Sequence, residues 1–122
     1  MQLGLIGLGH MGGNIARRLM RAGHTVIVFD AKPEPRAALA KDGAKDVDSL
    51  EAMVKAMTKP RAVWVMLPAG KITEETVQRL AGMMDQGDII IDGGNSYYKD
   101  DLRRSKQLEA KGIHYVDVGT SG

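Results

Sequence analysis

Gly7-Leu8-Gly9-His10-Met11-Gly12 is a G-x-G-x-x-G loop between an apolar run, QLGLIGLG, and a stretch with Met11, Ile15 and Leu19 spaced four apart. A loop of this kind, placed after a strand and opening a helix, is built to hold a pyrophosphate. The first glycine permits the tight turn, and the second lets the backbone approach the phosphates with no Cβ in the way. The third lets the helix pack closely on the strand, and the anion then sits on the free N–H groups of the helix N-terminus. An ordinary tight strand-to-helix turn can share the spacing. The position of Asp30 argues for the dinucleotide, because it ends a second β-branched run, TVIVFD, at the spacing of roughly 20 residues that a ribose-binding acid takes. A carboxylate at that point accepts hydrogen bonds from the adenosine ribose of NAD and repels the additional phosphate of NADP. Lys32 is either a compensating charge for that phosphate or a solvated lysine. The expectation is NAD in preference to NADP.

A second stretch, IIIDGGNS from Ile89 to Ser96, empties an apolar β-branched run into an acid, two glycines, an amide and a hydroxyl. In a doubly wound sheet, ligands bind beyond the carboxyl ends of the strands, so the isoleucines and the polar turn are compatible. Asn95 offers a donor and an acceptor to a sugar-like or carboxylate ligand. A Gly-rich turn with an Asx or Ser cap would look the same. The remaining polar residues suggest less. His10, His24 and His114 have no metal-ligand spacing, and His10 reads as a backbone contact in the loop. Tyr97 and Tyr98 lie beside the ligand edge. Arg17, Arg18, Arg21, Arg103 and Arg104 fit solvated helix faces, and Asp100 and Asp101 fit a helix start. No Ser-His-Asp or paired-carboxylate arrangement emerges, and no catalytic residue is assigned.

These residues need elements to position them. Strand-like runs (QLGLIG, TVIVFD, AVWVML, DIIID and IHYVDV) alternate with helix-period segments, and residues 43–47 supply a short third strand. The pattern predicts an α/β fold, a three-layer, doubly wound parallel sheet in order 3-2-1-4-5-6 with helices on both faces. Asp48 with Glu51 suits a capping box, and Thr73 suits the cap of the helix carrying Val77, Leu80 and Met84, with Glu74 and Glu75 in its first turn.

Composition agrees with a small globular unit. The chain has 122 residues, 43% hydrophobic but only 4% aromatic, so the core is aliphatic with the eight methionines as filler. A net charge of +2 argues against a nucleic-acid partner. The absence of cysteine excludes disulfides, and no apolar run approaches the roughly 20 residues of a membrane span. Strand-like sequence from Gln2 leaves no room for a signal peptide, so the expected location is cytoplasmic.

GLGHMG, MLPAG, GDIIIDGGNS, the Arg103-Arg104 pair and the terminal GTSG, in that order from residue 2 to residue 122, resemble the amino-terminal Rossmann domain of decarboxylating 6-phosphogluconate dehydrogenases. The wider β-hydroxyacid dehydrogenase group shares the glycine loop but usually carries a different turn at the GGNS place. The resemblance implies oxidation of 6-phosphogluconate at C3 by hydride transfer to NAD(P). The β-keto acid then loses carbon dioxide and gives ribulose 5-phosphate, a pentose phosphate pathway step. It also implies that Gly7, Leu8, Gly9, His10, Met11 and Gly12 hold the pyrophosphate and that Asp30, Ala31 and Lys32 surround the adenosine ribose. Leu67, Pro68 and Ala69 would line the cofactor cleft. Asn95 would touch cofactor and substrate, and Ser121 and Gly122 would match the start of a substrate-gripping Ser-Gly-Gly.

Many NADP-using members carry Asn-Arg-Ser/Thr where this chain has Asp30-Ala31-Lys32, which strengthens the NAD expectation. The family's catalytic lysine and glutamate match no position here. The expectation is therefore a 1–122 cofactor domain, inactive alone, from a longer homodimeric enzyme whose helical part is absent. As a fragment it would be a monomer or self-associate weakly. Two other readings stay open: the domain of another β-hydroxyacid dehydrogenase, which the DGGNS turn disfavours, and a non-enzymatic NAD-sensing module.

Overall fold

The computed structural model describes residues 2–67, 71–93 and 98–117. In chain order the elements are β1 (Gln2–Ile6), α1 (His10–Arg21), β2 (Thr25–Phe29), α2 (Pro33–Lys41), β3 (Lys45–Asp46) and α3 (Leu50–Ala56). There follow β4 (Ala62–Val65), α4 (Lys71–Met83), β5 (Ile89–Asp92), α5 (Tyr98–Glu109) and β6 (His114–Asp117). The six strands form one sheet in the order β3-β2-β1-β4-β5-β6. Every neighbouring pair is parallel. This is the doubly wound, Rossmann-type architecture that the alternation predicts.

The two halves of the sheet take their helices on opposite faces. Leu5, Val26 and Val28 pack with Leu8, Ala16, Leu39 and Ala44 from the α1 and α2 side. Ile6, Ile27, Val63, Val65 and Ile90 pack with Met53 and Val54 of α3, Val77 and Leu80 of α4, and Leu108 of α5. Right-handed crossovers require this arrangement when the strand order reverses between β1 and β4. The reversal opens a crevice at the carboxyl ends of the two central strands.

Local chemistry shifts several expected boundaries. The cap of α3 is Ser49, whose Oγ accepts from the Ala52 N–H at 3.0 Å, so the box is not set by Asp48. Glu51 instead pairs with Arg79. Thr73 lies inside the first turn of α4 and is fully buried, so it does not cap. In α1 the spaced residues Met11, Ile15 and Leu19 run from 50% exposed Met11 to Leu19 packed on the core, while Gly12, Gly13 and Ala16 are buried. Small residues bring this helix close to the sheet, and a hydrophobicity pattern does not register glycine. Met11 is also an exception to the methionine filler, whereas Met53, Met57 and Met84 are in the core. No helix among the described residues is long and apolar enough to cross a membrane.

The amino ends of β4, β5 and β6 are tied by one buried acid. Asp88 is fully buried, and its Oδ1 accepts from the Arg61 N–H at 2.7 Å. Its Oδ2 accepts from the Asp85 N–H at 2.8 Å and from Arg61 Nη1 at 3.0 Å. Its carbonyl accepts from the His114 N–H at 2.9 Å, which also gives His114 a structural place. Burial pushes this carboxyl up, but the amides of Arg61 and Asp85 and the Arg61 guanidinium outweigh it. The net effect holds Asp88 below the ordinary carboxylate range. A depressed folded pKa contributes stability that is fully present above the unfolded value of about 3.9 and fades as pH falls through the lower folded value. Asp88→Asn is expected to cost about 3 kcal/mol at pH 7, because it removes the buried counter-charge of Arg61 and leaves only the Asp85 carboxylate, 3.8 Å away. Urea unfolding measures this, and the gap to the parent chain should narrow as the buffer is taken below pH 4. A loss under about 0.5 kcal/mol, the range of an ordinary surface change, would show that the three donors find water instead.

Candidate functional site at the sheet's carboxyl edge

The glycine loop joins β1 to α1 over the crevice. Gly7 has φ +92, and a Cβ there would overlap the Met66 carbonyl oxygen. A Cβ on Gly12 would overlap the Gly7 carbonyl oxygen. Both positions therefore require glycine for the backbone crossing itself. The Gly7 N–H donates to the Phe29 carbonyl at 3.0 Å, and the Met66 N–H donates to the Ile6 carbonyl at 2.7 Å, so the loop's root is held by β2 and by the end of β4. Gly9 differs: it caps α1 with φ −64 and has nothing within 4 Å of a built Cβ. The space above it is open, and no side chain caps the helix. The helix N-terminus thus presents free amides towards the crevice, a setting suited to an anion.

Asp30 follows β2 directly and turns back onto this loop. Its Oδ2 accepts from the Leu8 N–H at 2.7 Å and its Oδ1 from the Lys32 N–H at 2.9 Å. The acid and the glycine loop, separated by 22 positions in sequence, form one hydrogen-bonded unit. The Lys32 side chain is exposed at the rim.

A cleft of about 700 Å³ opens beside this unit. It gathers Gly7, Leu8, Gly9, Asp30, Ala31, Lys32 and Leu67 of the residues that the sequence singles out. It also gathers residues that no motif marks: Pro35 of α2, Leu50 of α3, and Ile72, Thr76 and Arg79 of α4. Those three α4 residues are spaced four and then three apart, which puts them on one helix face. Ile72 is 56% accessible, and no pattern in the sequence marks it for the cleft. Arg79 Nη2 lies 2.6 Å from Glu51 Oε1, closing the far wall. Pro68, Ala69, Asn95, Tyr97, Ser121 and Gly122 lie outside the described residues, as do the side chains of His10, Tyr98, Asp100, Asp101 and Arg104. Of the arginines read as a solvated face, Arg17 pairs with Asp42 at 2.9 Å and Arg103 pairs with Glu74, both on the surface.

Residues 2–122 match the family described as the NAD binding domain of 6-phosphogluconate dehydrogenase. The chain belongs to that family. A Haloferax volcanii relative, the NAD(+)-dependent, decarboxylating 6-phosphogluconate dehydrogenase, is 41% identical over all of this chain and 40% of its own length. A Staphylococcus aureus 6-phosphogluconate dehydrogenase, decarboxylating, is 38% identical over 99% of this chain and 27% of its own. The chain therefore spans well under half the length of these 6-phosphogluconate dehydrogenases. Among solved structures, Plasmodium falciparum 6-phosphogluconate dehydrogenase, determined with NADP+ and with 6-phosphogluconate, superimposes with a TM-score of 0.87. That match has 29% identity and covers 94% of this chain and 26% of that one. Mycobacterium tuberculosis 3-hydroxyisobutyrate dehydrogenase superimposes with a TM-score of 0.89 at 25% identity, covering 99% of this chain and 40% of that one.

The loop geometry separates two kinds of glycine. Gly12→Ala forces a methyl group into a backbone oxygen and is expected to lower unfolding free energy by about 1–3 kcal/mol. Gly9→Ala has room and an unstrained φ, so it is expected to leave stability unchanged or raise it by about 0.5 kcal/mol through the unfolded chain. Chemical unfolding of the two variants side by side reads the difference. Equal destabilisation by both would contradict the open space seen above Gly9.

Proposed function

We propose that residues 1–122 are the cofactor domain of a 6-phosphogluconate dehydrogenase that prefers NAD. The observation carrying this reading is the Asp30 carboxylate, fixed by the Leu8 and Lys32 amides at the mouth of the glycine-loop cleft. The pyrophosphate sits over Gly9 on the N-terminus of α1, with Gly7, Leu8, His10, Met11 and Gly12 around it. The adenosine ribose hydroxyls donate to Asp30, beside Ala31 and Lys32. Leu67, Pro68 and Ala69 line the cleft towards the nicotinamide, and Asn95 touches both cofactor and substrate. Ser121 and Gly122 touch the substrate.

In the whole enzyme, a hydride passes from C3 of 6-phosphogluconate to the nicotinamide while a base takes the hydroxyl proton. The resulting β-keto acid breaks its C–C bond to the carboxylate, releasing carbon dioxide and yielding ribulose 5-phosphate. General acid and base groups must lie within hydrogen-bond reach of those atoms. We assign them to the part of the relatives that this chain does not span, so the 122 residues alone do not turn over 6-phosphogluconate. The enzyme works in the cytoplasm as a homodimer. The isolated domain self-associates weakly at most, through the sheet face where Trp64, Ile91 and Val116 stand side by side on β4, β5 and β6, with Val116 45% exposed.

The 3-hydroxyisobutyrate dehydrogenase neighbour keeps a small β-hydroxy acid as the second reading. The DGGNS turn and the 41% identical relative favour the first.

Calorimetric titration of the chain with both dinucleotides tests the cofactor assignment. NAD is expected to bind at least about tenfold more tightly than NADP, and Asp30→Ser to narrow that ratio by lifting the repulsion on the NADP phosphate. Gly9→Val, which fills the space over the helix N-terminus, is expected to remove binding of both. Equal affinities, or tighter NADP, would refute the preference.

A further inference from the structure

The charges around the cleft do not by themselves favour an unphosphorylated dinucleotide. Its described lining holds one acid, Asp30, and two bases, Lys32 and Arg79. Lys32 stands at the exposed rim, on a stem that keeps its ammonium in water. Arg79 is a different kind of cation. A guanidinium presents a planar fork of donors that matches a phosphate, so an arginine on a cleft wall is the residue type suited to bind one. Left free, Arg79 would join Lys32 in opposing Asp30, and the cleft would attract a phosphorylated ribose.

Arg79 is not free. Its Nη2 donates to Glu51 Oε1 at 2.6 Å, which ties α4 to the first turn of α3. Glu51 lies outside the described lining of the cleft, so it holds the guanidinium from behind the wall. Its own backbone amide, and then Arg79, keep the Glu51 carboxyl below the ordinary range, so it stays charged at neutral pH. The two side chains are 58% and 57% accessible, an exposed pair of the kind that adds little to stability. What the pair alters is the charge that the cleft presents. We propose that Glu51 is a specificity-determining residue: by occupying Arg79 it denies the cleft a phosphate-binding arginine, and leaves Asp30 to exclude the phosphorylated dinucleotide. The proposal rests on the cleft being the site of an NAD-preferring domain.

Titrating the 122-residue chain with NAD and NADP, in the parent and in a cycle of variants, tests this. Glu51→Ala releases Arg79 and is expected to tighten NADP about three- to tenfold while leaving NAD within about twofold. In an Arg79→Ala background the same substitution is expected to move NADP by less than about twofold, because Glu51 acts through Arg79. The gain in Glu51→Ala should shrink as ionic strength rises from about 0.1 M to about 1 M. Glu51→Gln fills the same place without the charge and is expected to shift NADP in the same direction. It decides should the alanine variant not fold. No change in NADP, or an equal change in NAD, overturns the proposal. So does an equal gain with Arg79 absent, since Glu51 would then repel the phosphate directly. Any of these results beside a parent that prefers NAD sinks the role of Glu51 alone. A parent that binds both dinucleotides equally, or neither, overturns the NAD reading, and the proposal with it.

Discussion

Three backbone segments meet at Gly7 with no side chain between them: the end of β1, the first turn of α1, and the end of β4 through Met66. A Cβ on Gly7 would overlap the Met66 carbonyl oxygen, and one on Gly12 would overlap the Gly7 carbonyl oxygen. The crevice exists because these backbones can touch. If α1 stood off by the width of a methyl group, its N-terminus would not reach the position above β1 and β4. Leu8 would no longer present its amide to Asp30. The small buried residues along α1, Gly12, Gly13 and Ala16, extend the same close approach for another turn.

The sheet divides its polar work between its two ends. At the amino edge, Asp88 gathers Arg61, Asp85 and the start of β6 into a closed set of hydrogen bonds far from the crevice. At the carboxyl edge, Asp30 accepts from the amides of Leu8 and Lys32 beside the cleft, and Asp92 accepts from the Tyr115 hydroxyl of β6. Lys59 and Asp85 add a surface ion pair at the amino edge, of the exposed kind that contributes little. Charge is thus used for cohesion at one edge and for orientation at the other. The rows of Val, Ile and Leu between them carry the hydrophobic burial.

Strand order and the pairing of the glycine loop with Asp30 were legible in the sequence because local chemistry fixes both. β-branched runs specify buried strands, and crossover handedness leaves few topologies. What was not legible came from tertiary placement. Ile72, Thr76 and Arg79 reach the cleft through the packing of α4 beside α3, and nothing in their own segment announces it. The close packing of α1 on the sheet relies on Gly12, Gly13 and Ala16, small residues that a hydrophobic spacing such as Met11, Ile15 and Leu19 does not mark. Ser49 displaced Asp48 as the cap of α3 by one residue, where both side chains are competent and only backbone direction decides. The link between Asp92 and Tyr115, 23 positions apart, has no motif at all.

The hydrogen bonds to Asp30 bear on how a cofactor is chosen. Both carboxylate oxygens already accept a backbone amide, so the group does not have to be ordered when a ribose arrives. Pre-organisation of this kind raises affinity by removing an ordering cost. It also fixes the negative charge where a ribose phosphate would fall. Two unit charges about 4 Å apart interact by about 4 kcal/mol at the effective dielectric typical near a protein surface, and by about 1 kcal/mol in bulk water. Asp30 is half-buried and immobile, so it acts nearer the first limit. Lys32 is exposed on a flexible stem, so it acts nearer the second. In the proposed NAD-preferring site, the repulsion from Asp30 exceeds the attraction from Lys32, which is the physical basis of the proposed preference. Replacing Asp30 would remove the repulsion together with the tie to Leu8. Selectivity and loop geometry therefore share one side chain, and neither can be altered there without the other.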